Sequence, residues 1–367
     1  MRLVVRFVAV LVCLLAFGAA SAQDALVKSF PAFGESFSSR LSPDGTLLAT
    51  FESGVIHADE IFAEYLPIRV YDVTRGEAVA TLTGEPDYAV DVSFSPDGAQ
   101  LAALYPTGWL HVWTVADGET VTRLPIAPNG GRLAWLPDGN TLAVATGQLP
   151  QIQLWDVTTG AMTALLMPRF ETVAEQREAL SSGVPDGLAA FAVAPDGSRF
   201  AISTYYDRIQ FWTPTGEMTT IYDPDAEQAR LSIQALTFTP DGSRLLALHT
   251  MDNKVRVFDA ADGQLITEIE SARIRSRALA VSPDGTRAAW VTAPEDGDAV
   301  VVVAELATGE TLDVPLPAVG SPGWTTPMTG LFFSGDGQRL ILTGQFLRAT
   351  DEPGPDQNPV YIIPLPR

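Results

Sequence analysis

The stretch Phe94–Leu104, FSPDGAQLAAL, decides the fold because it is one of a series. Proline presets the backbone angle at a turn's second position, and aspartate caps the turn with its own side chain. Glycine takes the left-handed conformation that sends the chain back antiparallel. The residues before the turn alternate (Val90, Val92, Phe94), and those after it form a short apolar run. That is the period of strands, so the stretch predicts a β-hairpin.

The hairpin recurs along the chain. LSPDGT from Leu41, WLPDGN from Trp135, VAPDGS from Val193, FTPDGS from Phe238, VSPDGT from Val281 and a degenerate FSGDGQ from Phe333 complete the set. The turn glycines Gly45, Gly98, Gly139, Gly197, Gly242, Gly285 and Gly337 stand 41 to 58 residues apart. A second signal follows each turn: IRVYDVTRGE from Ile68, LHVWTVADGE from Leu110, IQLWDVTTGA from Ile152, IQFWTPTGE from Ile209, VRVFDAADGQ from Val255, VVVAELATGE from Val301 and VYIIPLP from Val360. The first six of these read as strand, glycine turn, strand. Two interleaved signals at this period define a repeated four-stranded antiparallel unit.

At these residues the chain resembles the WD40 family of β-propellers. The likeness rests on Trp155-Asp156, on the near matches Tyr71-Asp72, Phe258-Asp259, Trp113-Thr114 and Trp212-Thr213, and on the upstream turns. The Pro-Asp-Gly turns are also similar to those of the TolB-type WD40-like propeller. The Gly-His dipeptide that opens typical WD40 repeats is missing from every copy, so that family's buried His-Asp-Ser-Trp network does not carry over. TolB-type proteins have an additional α/β domain before the propeller, and none fits before Gly45.

The seventh unit runs out at Arg367 after three strands, while DALVKSF, Asp24 to Phe30, is strand-like and has no unit of its own. Closing the ring with that segment removes exposed sheet edges. The expected architecture is all-β: a seven-bladed β-propeller of four-stranded antiparallel blades over residues 23–367, closed by the N-terminal strand joining the last blade.

Residues 1–22 read separately. Arg2 and Arg6 precede an apolar run from Phe7 to Phe17, and small residues stand at Ala20 and Ala22. This is the layout of a signal peptide cleaved after Ala22. A membrane anchor needs about 20 apolar residues, more than this run supplies. Cys13 is the only cysteine, and Val12 before it is too large for a lipoprotein site. The mature chain then has no thiol, which excludes disulfides and cysteine chemistry and suits a bacterial periplasmic or secreted protein. Losing Arg2 and Arg6 moves the net charge from −21 to −23. Such a surface repels phosphate backbones and anionic lipid, so neither nucleic acid nor membrane is an expected partner.

Insertions concentrate in the connections between second and third strands and between successive blades, which share one face of the disc. Loops tolerate length, yet drift would load both faces alike. The longest insertion, Met167 to Gly187, has Val173, Arg177 and Leu180 at helical spacing, which predicts a short helix. His57, Asp59, Glu60, Asp223, Asp225, Asp296 and Asp298 fall in these loops, as does Trp324, an aromatic with no core duty in VGSPGWTTP. These eight are the candidate binding residues. None of the loops has the spaced ligands of a calcium loop, and His57, His111 and His249 have no metal-binding spacing. No nucleophile elbow, Walker loop or dinucleotide loop occurs, so no cofactor is expected. The first reading is therefore an exported, monomeric interaction module that binds a protein or peptide through the long-loop face. The alternative is a propeller hydrolase or lyase of lactonase type, with His57, His249 and nearby carboxylates at the pore mouth, since this fold hosts both classes.

Overall fold

The structure is a computed structural model and describes residues 26–30, 37–52, 67–126, 131–147, 150–168, 187–224, 233–292, 299–316, 328–344 and 358–366. Strand β1 (Leu26–Phe30) precedes blade 1, which is β2 (Phe37–Leu41), β3 (Leu47–Glu52), β4 (Ile68–Asp72) and β5 (Glu77–Leu82). Blade 2 is β6 (Asp91–Phe94), β7 (Gln100–Tyr105), β8 (Trp109–Thr114) and β9 (Thr120–Pro125). Blade 3 is β10 (Gly131–Trp135), β11 (Thr141–Thr146), β12 (Gln151–Asp156) and β13 (Ala161–Leu166). Blade 4 is β14 (Leu188–Val193), β15 (Phe200–Thr204), β16 (Ile209–Trp212) and β17 (Met218–Tyr222). Blade 5 is β18 (Ile233–Phe238), β19 (Arg244–His249), β20 (Lys254–Asp259) and β21 (Leu265–Glu270). Blade 6 is β22 (Ile274–Val281), β23 (Arg287–Thr292), β24 (Val300–Glu305) and β25 (Thr311–Pro315). Blade 7 is β26 (Met328–Phe333), β27 (Arg339–Gly344) and β28 (Asn358–Pro364), completed by β1.

All seven sheets are four-stranded and antiparallel, as the repeats predicted. Ring closure is also as expected: β1 pairs with β28 in continuous register, Leu26 opposite Ile362 and Val27 opposite Tyr361. The turn chemistry is as read. In blade 2 the Gly98 amide donates to the Ser95 carbonyl, Gly98 has φ 71°, and the Asp97 carboxylate accepts from the Ser95 hydroxyl at 2.6 Å and the Ala99 amide at 3.0 Å.

Sheets twist, so each blade presents two apolar faces to its neighbours. The buried residues accordingly fall into seven clusters, one per junction. Leu101, Trp113 and Val92 pack on Phe51 and Val70 between blades 1 and 2; Leu48 and Tyr71 pack on Ile341, Val360 and Ile362 between blades 7 and 1. The innermost strands touch in sequence round a central axis. Polar bonds bridge them: Arg40 of blade 1 pairs with Asp91 of blade 2 at 2.6 Å, and the other Asp91 oxygen accepts the Leu133 amide of blade 3 at 3.1 Å.

Five blades carry a β-bulge between third and fourth strands, four of them just before the aromatic of the Trp-Asp position. A bulge disrupts the outer edge and blunts its tendency to pair with other chains.

The seventh turn departs from the others for a visible reason. Where six turns have proline, it has Gly335. A Cβ on Gly335 would lie 2.7 Å from the Asp44 carbonyl oxygen of blade 1, and one on Gly45 would lie 2.8 Å from the Gly335 nitrogen. Backbone meets backbone where the ring closes, so this turn has no room for a proline ring.

Candidate functional site

The strand limits separate the two faces. Five residues join first to second strands in six blades and six in blade 4; third to fourth strands are joined by four or five. All these turns share one face. On the other, connections run from three residues, Tyr105 to Trp109, up to 21, Leu166 to Leu188. The asymmetry is a property of the fold.

Of the candidate residues, Asp223 lies within the described residues; its Oδ1 accepts from Arg208 Nε at 3.0 Å, and both side chains are largely exposed. His57, Asp59, Glu60, Asp225, Asp296, Asp298 and Trp324 lie outside them, as does the helix expected around Val173 to Leu180. The hydrolase alternative puts His249 at the pore mouth, and its strand-end position reads as surface. Instead it is buried, 2% exposed, beneath Tyr222 of the preceding blade, whose ring meets it edge-on at 5.5 Å. Burial drives its pKa down to about 3, so the imidazole is neutral at physiological pH, and its Nε2 has no hydrogen-bond partner among the described residues.

Two polar clusters at blade junctions lie outside the sequence reading. Between blades 1 and 2, His111 Nε2 lies 2.7 Å from Glu85 Oε1, and Arg123 Nη2 donates to the same oxygen at 2.6 Å. The Arg123 guanidinium lies 3.6 Å from the centroid of the Trp109 ring. Burial pushes the His111 imidazole below its ordinary value, against the pull of Glu85. Between blades 4 and 5, Arg256 donates to Asp252 at 2.5 Å and to Glu268 at 2.6 Å, with Tyr222 over its guanidinium at 5.3 Å. His111 and Arg256 occupy the same place, third in the third strand of their blades, and Arg123 and Glu268 stand opposite them. In both clusters the carboxylates accept from basic donors and are occupied in ion pairs; the Arg256 pairs lie within blade 5, and the Tyr222 ring brings blade 4 against them. Among the described residues no three His, Cys, Asp or Glu side chains group to hold a metal ion.

The short-turn face carries a ring of turn aspartates. The Asp336 carboxyl is held down to about 2 by the Ser334 hydroxyl, then by the Gln338 amide and Arg339. Asp97, Asp241 and Asp284 are lowered in the same way by Ser95, Thr239 and Ser282.

Comparison with known proteins agrees with this geometry. The profile of the "Lipoprotein LpqB beta-propeller domain" matches residues 182–322. Among solved structures, the β-propeller domain of Myceliophteria thermophila Cps50 (Swd1) superposes with a TM-score of 0.68, covering 93% of this chain and 99% of that one at 16% identity. The chain has the fold of a seven-bladed β-propeller. Curated sequences add a shorter likeness: human and Pongo abelii Coronin-7 are each 31% identical over 83 residues, which is 22% of this chain. The matched stretch is 9% of the coronin's own length.

This propeller satisfies four of its indoles without the Gly-His network. Trp155 Nε1 donates to Gln153 Oε1 at 3.0 Å and Trp212 Nε1 to Gln210 Oε1 at 3.2 Å, each two residues back in its own strand. Trp135 Nε1 crosses a junction to the Ser93 carbonyl at 3.1 Å, and Trp290 reaches the Ser271 hydroxyl at 2.8 Å. The polar residue two places before the aromatic of the Trp-Asp position was the available signal for these groups: Arg69, His111, Gln153, Gln210 and Arg256 recur there in blades 1 to 5.

Proposed function

We propose that this propeller is an exported interaction module that binds a protein or peptide through its long-loop face. The observation that carries the reading is the one-sided length of the connections. One face is uniformly tight, while the other has seven connections of seven residues or more, up to 21. Long loops on a rigid scaffold are where binding residues concentrate. Within them Trp324 supplies an aromatic anchor, and His57, Asp59, Glu60, Asp223, Asp225, Asp296 and Asp298 supply polar and acidic contacts. That chemistry favours a partner with basic residues, drawn in by the net charge of −23 left after Arg2 and Arg6 are removed from a chain of −21.

Export rests on residues 1–22, read as a signal peptide cleaved after Ala22. The likeness to a lipoprotein propeller domain supports a place in the bacterial cell envelope or outside the cell. The module works as a monomer without a cofactor. The hydrolase alternative loses its described histidine, because a buried imidazole with a pKa of about 3 is a poor base and out of a substrate's reach.

The test is capture from periplasmic extract, with the wild-type chain set beside one whose residues 169–186 are replaced by a short Gly-Ser linker and beside Trp324→Ala. A partner retained by wild type and lost from either variant supports the reading. Nothing captured above control, or capture insensitive to both changes, overturns it.

A further inference from the structure

We propose that the central channel of the propeller binds a small oxyanion carrying at least two negative charges, held by Arg132 and Arg277. The chain has 44 acidic residues against 23 lysines and arginines. Its seven innermost strands reverse that balance. β2, β6, β10, β14, β18, β22 and β26 contain Arg40, Arg132, Arg275 and Arg277 and one acid, Asp91. A composition that supplies two acids for every base has put four basic residues and one acid in the sequence of the innermost strands.

The single acid is already used. Asp91 pairs with Arg40, and its second oxygen takes the Leu133 amide. Among the described residues Arg132 bonds only main-chain carbonyls, Gly131 at 3.2 Å and Ala189 of the next blade at 3.3 Å. Those bonds orient the guanidinium across two innermost strands and leave its charge without a carboxylate among the described residues.

Arg277 is aimed by a distortion of the backbone. Between Ile274 and Leu279, strand β22 bulges: four residues there stand against one in β23, between Thr292 and Trp290. The extra chain lies on the axial side of its sheet, because β23 occupies the other. Within the bulge the Ser276 side chain is buried and accepts the Ala278 amide at 2.8 Å, while Arg277 is exposed and has no hydrogen bond or ion pair among the described residues. Bulges of this kind re-aim a side chain. Both faces of each sheet are covered by neighbouring blades, so an exposed residue on an innermost strand meets solvent along the axis. Two guanidiniums without acid partners offer forked donors that match carboxylate or phosphate oxygens. The site is independent of the loop-face reading, and failure of either leaves the other standing.

Titration calorimetry of the purified protein at low salt tests it, with citrate and inorganic phosphate as separate probes that distinguish a carboxylate ligand from a phosphate one. Saturable one-to-one binding of at least one probe is expected. Arg132→Gln and Arg277→Gln should each weaken it by about tenfold, the value of one charge-assisted hydrogen bond. Arg75→Gln, on an outer turn, should leave it unchanged. Arg277 holds no other group, so Arg277→Gln keeps the wild-type melting temperature and decides the matter even if Arg132→Gln melts early. No heat from either probe, or equal binding in wild type and Arg277→Gln, overturns the proposal.

Discussion

Gly335 stands where six sister turns carry proline, and the backbone of Asp44 is the reason. Substituting the residue that the other repeats prefer is normally a stabilising change. Here Gly335→Pro should lower the midpoint of urea denaturation. Gly335→Ala should cost about 1–3 kcal/mol, as overpacking against a rigid neighbour does. An unchanged midpoint for both would contradict the contact. The turn aspartates make a second residue-scale prediction. Their folded pKa values lie below the ordinary 3.8, with Asp336 at about 2. As pH falls the unfolded chain therefore takes up protons first. The stabilisation is complete above about pH 4 and is lost progressively towards pH 2. Urea midpoints measured between pH 5 and 2.5 should fall, and Ser334→Ala should shallow that fall.

At the scale of elements, the junction of blades 4 and 5 separates packing from charge. Arg256 is buried and ties Asp252 and Glu268, both partly solvated. Arg256→Met should therefore destabilise by about 2 kcal/mol, less than the 3–5 expected of a fully buried pair. His249 behaves oppositely. Its Nε2 is unpaired and buried, so His249→Phe keeps the ring contact with Tyr222 and removes an unsatisfied atom. The variant should be as stable as wild type at pH 7. Because the folded imidazole stays neutral down to about 3, wild type loses stability as the unfolded histidine protonates below about 6.5. His249→Phe should flatten the stability profile between pH 6.5 and 4; an unaltered slope would place the imidazole in solvent. The closing strand makes a third case. Deleting residues 24–30 removes the partner of β28, and a loss on the order of 3 kcal/mol, roughly 5–10 °C in melting temperature, should follow.

Over the whole molecule, blade number, closure and the two unlike faces were legible before any coordinates, because each rests on local turn chemistry repeated at a steady period. What escaped was set by neighbours distant in sequence. Glu85 and His111 are 26 residues apart and meet because one follows blade 1 and the other lies in blade 2. His249 sits at a strand end beside a turn, a place that reads as exposed until Tyr222 of the preceding blade covers it. The Arg277 bulge has no turn residue to announce it, and the glycine of the seventh turn looked like decay of the motif until blade 1 came up against it.

The pairing of β1 with β28 also sets an order of events. The first strand of the propeller finds its seat only in its last sheet, so a growing polypeptide stays unlatched until Asn358–Pro364 has emerged. Prematurely terminated products leave both sheet edges bare and open to proteases, and only a chain synthesised through its final strand acquires a protected circumference.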